Sequence, residues 1–234
     1  MNTNNQTTNI YERTVLMLGT EAVERLKNSR VCVVGVGGVG GFAVEALARA
    51  GIGMLTLVDN DRVSVSNINR QIVALGSTVG NYKTEVMKAR IADINPRCTV
   101  VCKNMFYDEK TADSLSFDEY DYILDCIDSV SSKVLLISRA KSSEVNIISA
   151  MGAGNKLDPT RFKVSDISKT NTDPLARAIR TRLKKLGINR LKVVFSDEAP
   201  INPNGERTPG SVSFVPSVMG LIMAGEVIKD LAIH

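Results

Sequence analysis

A short apolar segment that runs directly into a glycine-rich turn constrains the fold of this chain more than any other feature. Residues 30–41, RVCVVGVGGVGG, have the pattern of a buried strand, a tight turn and the start of a helix. Glycines let the backbone approach a ligand closely, and the free N–H groups of a helix N-terminus attract anions. We therefore predict a nucleotide-binding turn, rather than a simple connection between a strand and a helix, at Gly35, Gly37, Gly38 and Gly40.

Strands and helices alternate along the chain on both sides of this turn. An amphipathic helix is predicted over residues 14–27, and apolar runs at 54–59, 98–103, 121–128 and 145–150 predict further strands with helical segments between them. The alternation predicts an α/β fold, with a Rossmann-like, doubly wound and mostly parallel sheet.

The pattern changes after Gly154. An isolated strand at 161–167 comes first, and then a helix with Asp173 as its cap, Pro174 at its first position and Gly187 at its end. Another strand, a Pro/Gly-rich loop and a long final helix follow. No repeat or linker divides the chain, so we predict one domain over residues 1–234. It comprises a nucleotide-binding core (10–155) and a C-terminal α/β elaboration (156–234).

The side-chain inventory excludes whole classes of chemistry. The only histidine is His234, so catalytic triads and His-rich metal sites have no support. None of the four cysteines belongs to a C-x-x-C pair, which argues against a zinc ribbon. Cys32 and Cys126 lie in apolar runs, where burial makes a thiol unreactive. Catalysis would have to come from a nucleotide, Arg, Lys and carboxylates.

Charge and hydropathy give weaker constraints. The net charge of +4 is compatible with a nucleic-acid partner but does not require one. The chain does not begin with a secretory signal pattern. The apolar run at 212–224 is shorter than the roughly 20 residues of a membrane span, and Pro216 interrupts it. We expect a cytoplasmic protein with no transmembrane segment; contact of the final helix with a membrane surface is the alternative.

Charged residues follow the predicted strands. Asp59 ends the second strand, where a carboxylate can accept hydrogen bonds from ribose. Asp128 ends the fourth strand, Arg70 lies in a Ser/Asn-rich loop, and Lys83 begins a helix. Because the carboxyl ends of these strands meet at one crevice, we expect the four side chains to converge on a nucleoside triphosphate and a magnesium ion. The alternative is that these four side chains are solvated surface charges without a ligand, and it applies above all to Lys83.

Four segments together resemble the ubiquitin-activating-enzyme-like adenylating family: GVGGVG, LVDNDRVSVSNINRQ, VGNYKTEVMKARIADINP and YILDCIDS. The resemblance implies that Asp59 binds the ribose of ATP. It places Asn67, Arg70 and Lys83 around the phosphates, and it gives Asp128 the role of positioning Mg²⁺. Arg13, in YERT, resembles an arginine that reaches the ATP of the partner subunit, which implies a homodimer. A monovalent cation (Na⁺ or K⁺) and a partner from a cysteine-desulfurase system are also compatible with the resemblance.

The C-terminal half of the sequence indicates which branch of the family the chain resembles. Sulfur-carrier activators typically have two C-x-x-C zinc pairs in this half, and thioester-forming members need a cysteine there, whereas this chain has no cysteine after Cys126. DISKTNTDPLARAIRTRLKKLGI, VVFSDEAP and GSVSFVPSVMGLIMAGEVI instead resemble the tRNA threonylcarbamoyladenosine dehydratases. That resemblance implies ATP-dependent cyclisation of threonylcarbamoyladenosine in tRNA through an acyl-adenylate.

Two other functions stay open. One is adenylation of the C-terminus of a ubiquitin-like or sulfur-carrier protein, against which the missing cysteines count. The other is a nucleotide- or NAD-binding module without adenylation, in which Arg70 and Lys83 would have no evident role.

The same C-terminal resemblance gives a role to a cluster of cations. A tRNA partner would meet phosphate-binding side chains, and we expect these at Arg177, Arg180, Lys184 and Lys185. A solvated helix face is the alternative.

Overall fold

The structure is a computed structural model that describes residues 10–201, 205 and 208–233. Residues 1–9, part of the predicted Pro/Gly-rich loop (202–204, 206 and 207) and His234 lie outside the described residues.

One sheet organises the molecule. Its seven strands are β1 Arg30–Val34, β2 Met54–Val58, β3 Thr99–Lys103, β4 Tyr122–Asp125, β5 Asn146–Ala150, β6 Phe162–Asp166 and β7 Lys192–Ser196. They lie in the order β3-β2-β1-β4-β5-β7-β6, and neighbours are parallel except for the antiparallel pair β6–β7. This confirms the predicted α/β sheet. The strand predicted to be isolated is instead β6, which forms the sheet edge.

The chain reverses its winding direction at β1, since β2 lies on one side and β4 on the other. In a doubly wound sheet such a reversal opens a crevice at the carboxyl ends of the strands. The fold therefore predicts where a ligand would bind.

Helices cover both faces of the sheet. They are α1 Glu12–Leu18, α2 Thr20–Asn28, α3 Gly40–Ala50, α4 Lys83–Ile94, α5 Val130–Ser142, α6 Pro174–Lys185 and α7 Phe214–Ile233. Side chains of α2, α3, α4 and α7 pack into the hydrophobic core on one face, and those of α5 and α6 pack into the core on the other. Gly220 allows α7 to cross α3 closely, because a Cβ there would lie 2.2 Å from the carbonyl oxygen of Val39.

The single helix predicted over residues 14–27 is wrong. Gly19, with φ of 87°, separates α1 from α2. Glycine adopts this left-handed region without the strain that a Cβ causes. The break leaves Leu16 and Met17 on α1 exposed, rather than continuing the apolar face of α2.

The final helix, α7, is long and apolar, and one side of it lies in the core. Val215, Met219, Met223 and Val227 are fully buried along it. No helix within the described residues is both long enough and apolar enough to cross a membrane.

Candidate nucleotide-binding site

A cleft with a volume of about 810 Å³ opens at the carboxyl ends of β1, β2 and β4. That size is typical of small-molecule sites. The cleft is lined by most of the residues that the sequence predicted for nucleotide binding: Gly35, Gly37, Gly38, Asp59, Asn67, Arg70, Lys83 and Asp128. The fold thus brings together side chains that are far apart in the sequence.

The glycine turn is packed against the turn that follows β4. Gly35 has φ of 94°, and a Cβ there would lie 2.6 Å from the carbonyl oxygen of Cys126. A Cβ on Gly40 would lie 1.8 Å from the carbonyl oxygen of Gly35. Gly40 is buried and is not among the cleft-lining residues. It therefore lets α3 start directly on the turn, whereas Gly37 and Gly38 face the cleft.

Asp59 connects the end of β2 to the glycine turn. Its Oδ2 accepts a hydrogen bond from the backbone N–H of Val36 at 2.7 Å, and its Oδ1 accepts one from the backbone N–H of Asp61 at 2.8 Å. Burial raises the pKa of Asp59, although the charge of Lys83 and these two hydrogen bonds partly oppose the increase. A carboxylate offers about four acceptor positions, so Asp59 retains acceptor capacity for a ligand in the cleft.

Lys83, the first residue of α4, is buried, with only 5% of its surface exposed. Its Nζ lies 2.6 Å from Oδ2 of Asp61, which also lines the cleft. The solvated-charge interpretation of Lys83 is therefore wrong. Asp61 could not be predicted from the sequence, because nothing in its spacing distinguishes it from other loop carboxylates.

The Ser/Asn-rich loop is closed by its own hydrogen bonds. Oδ1 of Asn67 accepts one from the backbone N–H of Ser64 at 3.2 Å. Nη1 of Arg70 donates to the carbonyl oxygen of Ser66 at 3.0 Å and to Oδ1 of Asn69 at 2.8 Å. Both acceptors are uncharged, and a guanidinium has five N–H donors. Arg70 therefore keeps its charge and further donors available to the cleft.

Gln71 is a cleft residue to which the sequence analysis assigned no role. It is 8% exposed, and its Oε1 is buried without a hydrogen-bond partner among the residues described. Buried polar atoms are almost always hydrogen-bonded in folded proteins, and an unpaired one usually indicates a missing ligand or a functional role. Its position directly after Arg70 was the only sequence signal.

Asp128 lies in a different place from the one predicted. β4 ends at Asp125, so Asp128 does not end the strand but lies in the turn after it. The strand was overextended because Cys126 and Ile127 continue its apolar run. Asp128 is nevertheless exposed and lines the cleft. Asp125 itself is fully buried against Lys133, with 2.9 Å between Oδ1 and Nζ.

The C-terminal segment supplies the opposite wall of the cleft. Lys156 is 3% exposed and donates from Nζ to the carbonyl oxygen of Glu198 at 3.0 Å. Asp173 caps α6 as predicted, because its Oδ1 accepts a hydrogen bond from the N–H of Ala176 at 3.0 Å. Its Oδ2 also accepts one from the N–H of Gly152 at 2.9 Å, which connects α6 to the loop after β5. The sequence indicated only the capping role.

Besides Gly40, two groups of predicted residues lie outside the cleft. Arg13 is exposed on α1 and is not among the lining residues. On α6, Arg177, Lys184 and Lys185 are exposed. Arg180 is half-buried, and its Nη1 donates to the carbonyl oxygen of Thr170 at 2.9 Å, so part of its donor set is used inside the fold.

The described residues contain no group of three or more His, Cys, Asp or Glu side chains that could hold a metal ion. Mg²⁺ commonly binds through one or two carboxylates together with substrate phosphates and water. Asp128 in the cleft fits this second mode.

The thiols are poor nucleophiles. All four cysteines are free, and burial raises the pKa of both Cys32 and Cys126 to about 12. Burial likewise raises the pKa of Cys98 and Cys102 to about 11. At neutral pH these groups are protonated, as the sequence analysis expected for Cys32 and Cys126.

Comparison with known proteins agrees with this geometry. The sequence pattern of the ThiF family matches residues 11–234. The tRNA threonylcarbamoyladenosine dehydratase of Bacillus subtilis is 48% identical, with 94% of each chain covered. The molybdopterin-synthase adenylyltransferase of Salmonella typhimurium is 35% identical, over 95% of this chain and 81% of its own length.

The solved structures most relevant to this chain belong to the same group of dehydratases. Escherichia coli tRNA N6-threonylcarbamoyladenosine dehydratase is 38% identical and has been solved with AMP and with ATP, with TM-scores of 0.89 and 0.88. The match covers 94% of this chain and 92% or 93% of those chains. These findings confirm the resemblance inferred from the motifs: the chain belongs to the ThiF family.

Proposed function

We propose that this protein is an ATP-dependent adenylating enzyme that cyclises threonylcarbamoyladenosine in tRNA by removing one water. The observation that carries the proposal is the cleft at the ends of β1, β2 and β4, where the glycine turn meets Asp59, Arg70 and Lys83. Similarity to dehydratases solved with ATP and AMP supports the same function over nearly the whole chain.

The reaction needs activation because a carboxylate is a poor electrophile. The threonine carboxylate attacks the α-phosphorus of ATP, the bond to the β-phosphate breaks, and pyrophosphate leaves. A nitrogen of the modification then attacks the acyl carbon and loses its proton, and AMP leaves as the ring closes. The nucleophile of each step belongs to the substrate, which agrees with the protonated thiols of the chain. Holding the reactants in place supplies much of the rate.

The cleft residues have separate roles in this proposal. Asp59 accepts hydrogen bonds from the ribose hydroxyls. Asn67, Arg70 and Lys83 contact the phosphates, where fixed cations stabilise the negative charge that develops during transfer. The unpaired Oε1 of Gln71 accepts a hydrogen bond from the nucleotide. Asp128 would hold Mg²⁺ together with phosphate oxygens, and the ion would supply further neutralisation of phosphate charge.

The basic face of α6 is the proposed tRNA surface. α6 begins at Pro174, which lines the cleft, and its exposed cations continue away from the cleft to Lys185. A helix of 12 residues is about 18 Å long. RNA phosphates along this face would place the modified nucleoside near the cleft. The homodimer, a monovalent cation and a partner from a cysteine-desulfurase system are further proposals that follow from the family resemblance.

The direct test is mass spectrometry of nucleosides from tRNA that carries the linear modification. Incubation with the protein, ATP and Mg²⁺ should convert threonylcarbamoyladenosine into a product lighter by one water, and AMP should form in equal amount. An ATP analogue whose bridge between the α- and β-phosphates cannot be cleaved should give no product. Unchanged nucleoside in the presence of ATP would refute the proposal.

Pyrophosphate exchange separates this reaction from adenylation of a carrier protein. Exchange should depend on modified tRNA and should not be stimulated by a sulfur-carrier protein with a free C-terminus. Stimulation by the carrier alone would favour the alternative, which the similarity to a molybdopterin-synthase adenylyltransferase keeps relevant.

A further inference from the structure

A buried ion pair lies directly beneath the turn that carries Asp128. Asp125, at the end of β4, and Lys133, early in α5, are both 0% exposed. Nζ of Lys133 lies 2.9 Å from Oδ1 of Asp125 and 3.5 Å from its carbonyl oxygen. Among the ion pairs of the described residues, this is the only one in which both side chains are fully inaccessible to solvent.

Stability alone does not account for such a pair. Two charges that leave water lose their hydration, and their mutual attraction in the interior often only offsets that loss. Apolar residues of similar size in place of a buried pair are often neutral or stabilising. A contribution to geometry explains the pair better.

The pair fixes the turn from several sides. Oδ1 of Asp125 accepts a hydrogen bond from the backbone N–H of Ile127 at 3.2 Å, and Oδ2 accepts one from Oγ of Ser149 on β5 at 2.5 Å. The backbone N–H of Cys126 donates to the carbonyl oxygen of Val34 on β1 at 2.8 Å. Asp128 comes next in the chain. Its carboxylate has no hydrogen bond or ion pair with any residue that the structure describes, so its position depends on the turn.

We propose that Asp125, Lys133 and Ser149 are positioning residues that set the turn of residues 126–128 so that Asp128 faces the bound nucleotide. The inference rests on the proposed function, because it takes Asp128 as a residue of the nucleotide site. None of the three needs to touch the substrate. They act through the direction of one backbone turn.

The test measures how much Mg²⁺ strengthens binding of a non-hydrolysable ATP analogue, by calorimetry with and without Mg²⁺. The wild type should bind more tightly with Mg²⁺, and Asp128→Ala should lose that gain. The double variant Asp125→Val/Lys133→Met, which replaces the pair with apolar side chains, should lose about tenfold or more of the gain, as expected for residues that orient a metal ligand. Its Mg²⁺-free affinity should stay close to that of the wild type, whereas its denaturant midpoint should fall, because the N–H of Ile127 and the hydroxyl of Ser149 lose their acceptor.

Two comparison variants separate positioning from a purely structural role. Lys133→Arg keeps the charge and its donors, and should retain most of the gain from Mg²⁺. Glu45→Gln breaks another ion pair, between the mostly buried Glu45 on α3 and the partly exposed Arg90 on α4, and neither residue lines the cleft. It should lower the denaturant midpoint without changing the gain.

A double variant that keeps the full gain while Asp128→Ala loses it would overturn the inference and leave the proposed function intact. If Asp128→Ala keeps the full gain in affinity from Mg²⁺, the inference is also overturned, because Asp128 would then have no role in Mg²⁺ binding. The water-loss assay would test the proposed function separately. If the double variant does not fold, Ser149→Ala takes its place. That variant removes only the hydroxyl on Oδ2, and an unchanged gain in it would refute the proposal.

Discussion

At the scale of single residues, the cleft offers positive charge of two kinds. Lys83 already has a carboxylate partner, Asp61. Arg70, in contrast, bonds only to uncharged oxygens, and no carboxylate of the described residues lies within ion-pair distance of it. A cation with no charged partner attracts an incoming polyphosphate more strongly than one that is already paired. Arg70 is therefore the side chain on which phosphate binding should depend most.

Arg70→Ala should lower kcat/KM for cyclisation on the order of a hundredfold, the usual loss when one preorganised donor to developing charge is removed. Arg70→Lys should recover only part of the rate, because an ammonium lacks the planar fork of donors. Steady-state AMP formation measures both variants, and denaturant unfolding confirms that each is folded. Wild-type rates in folded Arg70→Ala would show that the phosphates bind elsewhere.

The unpaired amide oxygen of Gln71 lowers the stability of the free protein and is proposed to contribute to ATP binding. An unpaired buried polar atom costs about 1–3 kcal/mol, so Gln71→Leu, which is similar in size and lacks the amide, should raise the free energy of unfolding by about 1 kcal/mol. The same change should weaken ATP binding. Denaturant titration and calorimetry measure the two effects. Lower stability with unchanged ATP affinity would instead indicate a structural role for the amide.

The cleft residues differ in how well the sequence predicts their positions, and the differences have physical reasons. The prediction for Asp59 is accurate to one residue, because the apolar run of β2 stops at Val58, directly before it. Asp128 was misplaced because apolar character continues past the last hydrogen-bonded residue of β4. The partner of Asp125 could not be predicted at all, since a lysine in the first part of a helix normally reaches solvent, and only the packing of α5 shows that Lys133 does not.

At the scale of elements, the sequence predicts helix capping well, but it predicts helix breaks and strand pairing poorly. α6 was predicted with its cap and first residue because capping acts within one turn. The helix over 14–27 failed because an apolar period can continue through a glycine at which the backbone breaks. The sequence predicts β6 as an isolated strand, because alternation along one strand carries no information about its partner, β7.

The basic face of α6 should contribute the salt-dependent part of tRNA affinity. Arg177→Ala/Lys184→Ala/Lys185→Ala should weaken tRNA binding and reduce the slope of log K against log salt by about 2–3, since each lost phosphate contact removes about 0.7–0.9. ATP affinity should not change. Filter binding over a range of salt concentrations measures the slope.

Two further variants complete this test. Lys88→Ala removes an exposed cation from α4, on the opposite face of the sheet, and should leave the slope unchanged. Arg180→Ala should act mainly on stability, because Arg180 donates to Thr170 within the fold. A triple variant with the wild-type slope would mean that these α6 cations face solvent only.

At the scale of the whole molecule, the two segments of the chain build one site together. β7, from the C-terminal segment, pairs with β5 of the core, and α7 packs on α3 directly behind the glycine turn. Asp173 connects α6 to the loop after β5. The nucleotide wall and the C-terminal wall of the cleft are thus parts of one continuous sheet and its helices. For this reason α6, which is far from the glycine turn in the sequence, begins at the cleft.

Arg13 is the one side chain predicted to contact the nucleotide that does not line the cleft of its own chain. It is exposed on α1, beside the exposed apolar residues Leu16 and Met17, and is absent from the cleft lining. In a two-fold symmetric dimer, each copy of α1 can serve the cleft of the other copy. The proposed homodimer and the proposed role of Arg13 therefore depend on one another, and one experiment tests both.

Arg13→Ala and Arg70→Ala should each be nearly inactive alone. Mixed dimers, co-expressed with a different affinity tag on each chain and purified through both tags, should recover about half of the wild-type rate, because one of their two sites combines an intact Arg70 with an intact Arg13 from the other chain. AMP formation per dimer measures the recovery, and dimers that carry the same substitution in both chains are the controls. If Arg13 instead serves its own chain, both sites of the mixed dimer are defective and no activity returns. Failure to isolate any doubly tagged species would refute the dimer itself.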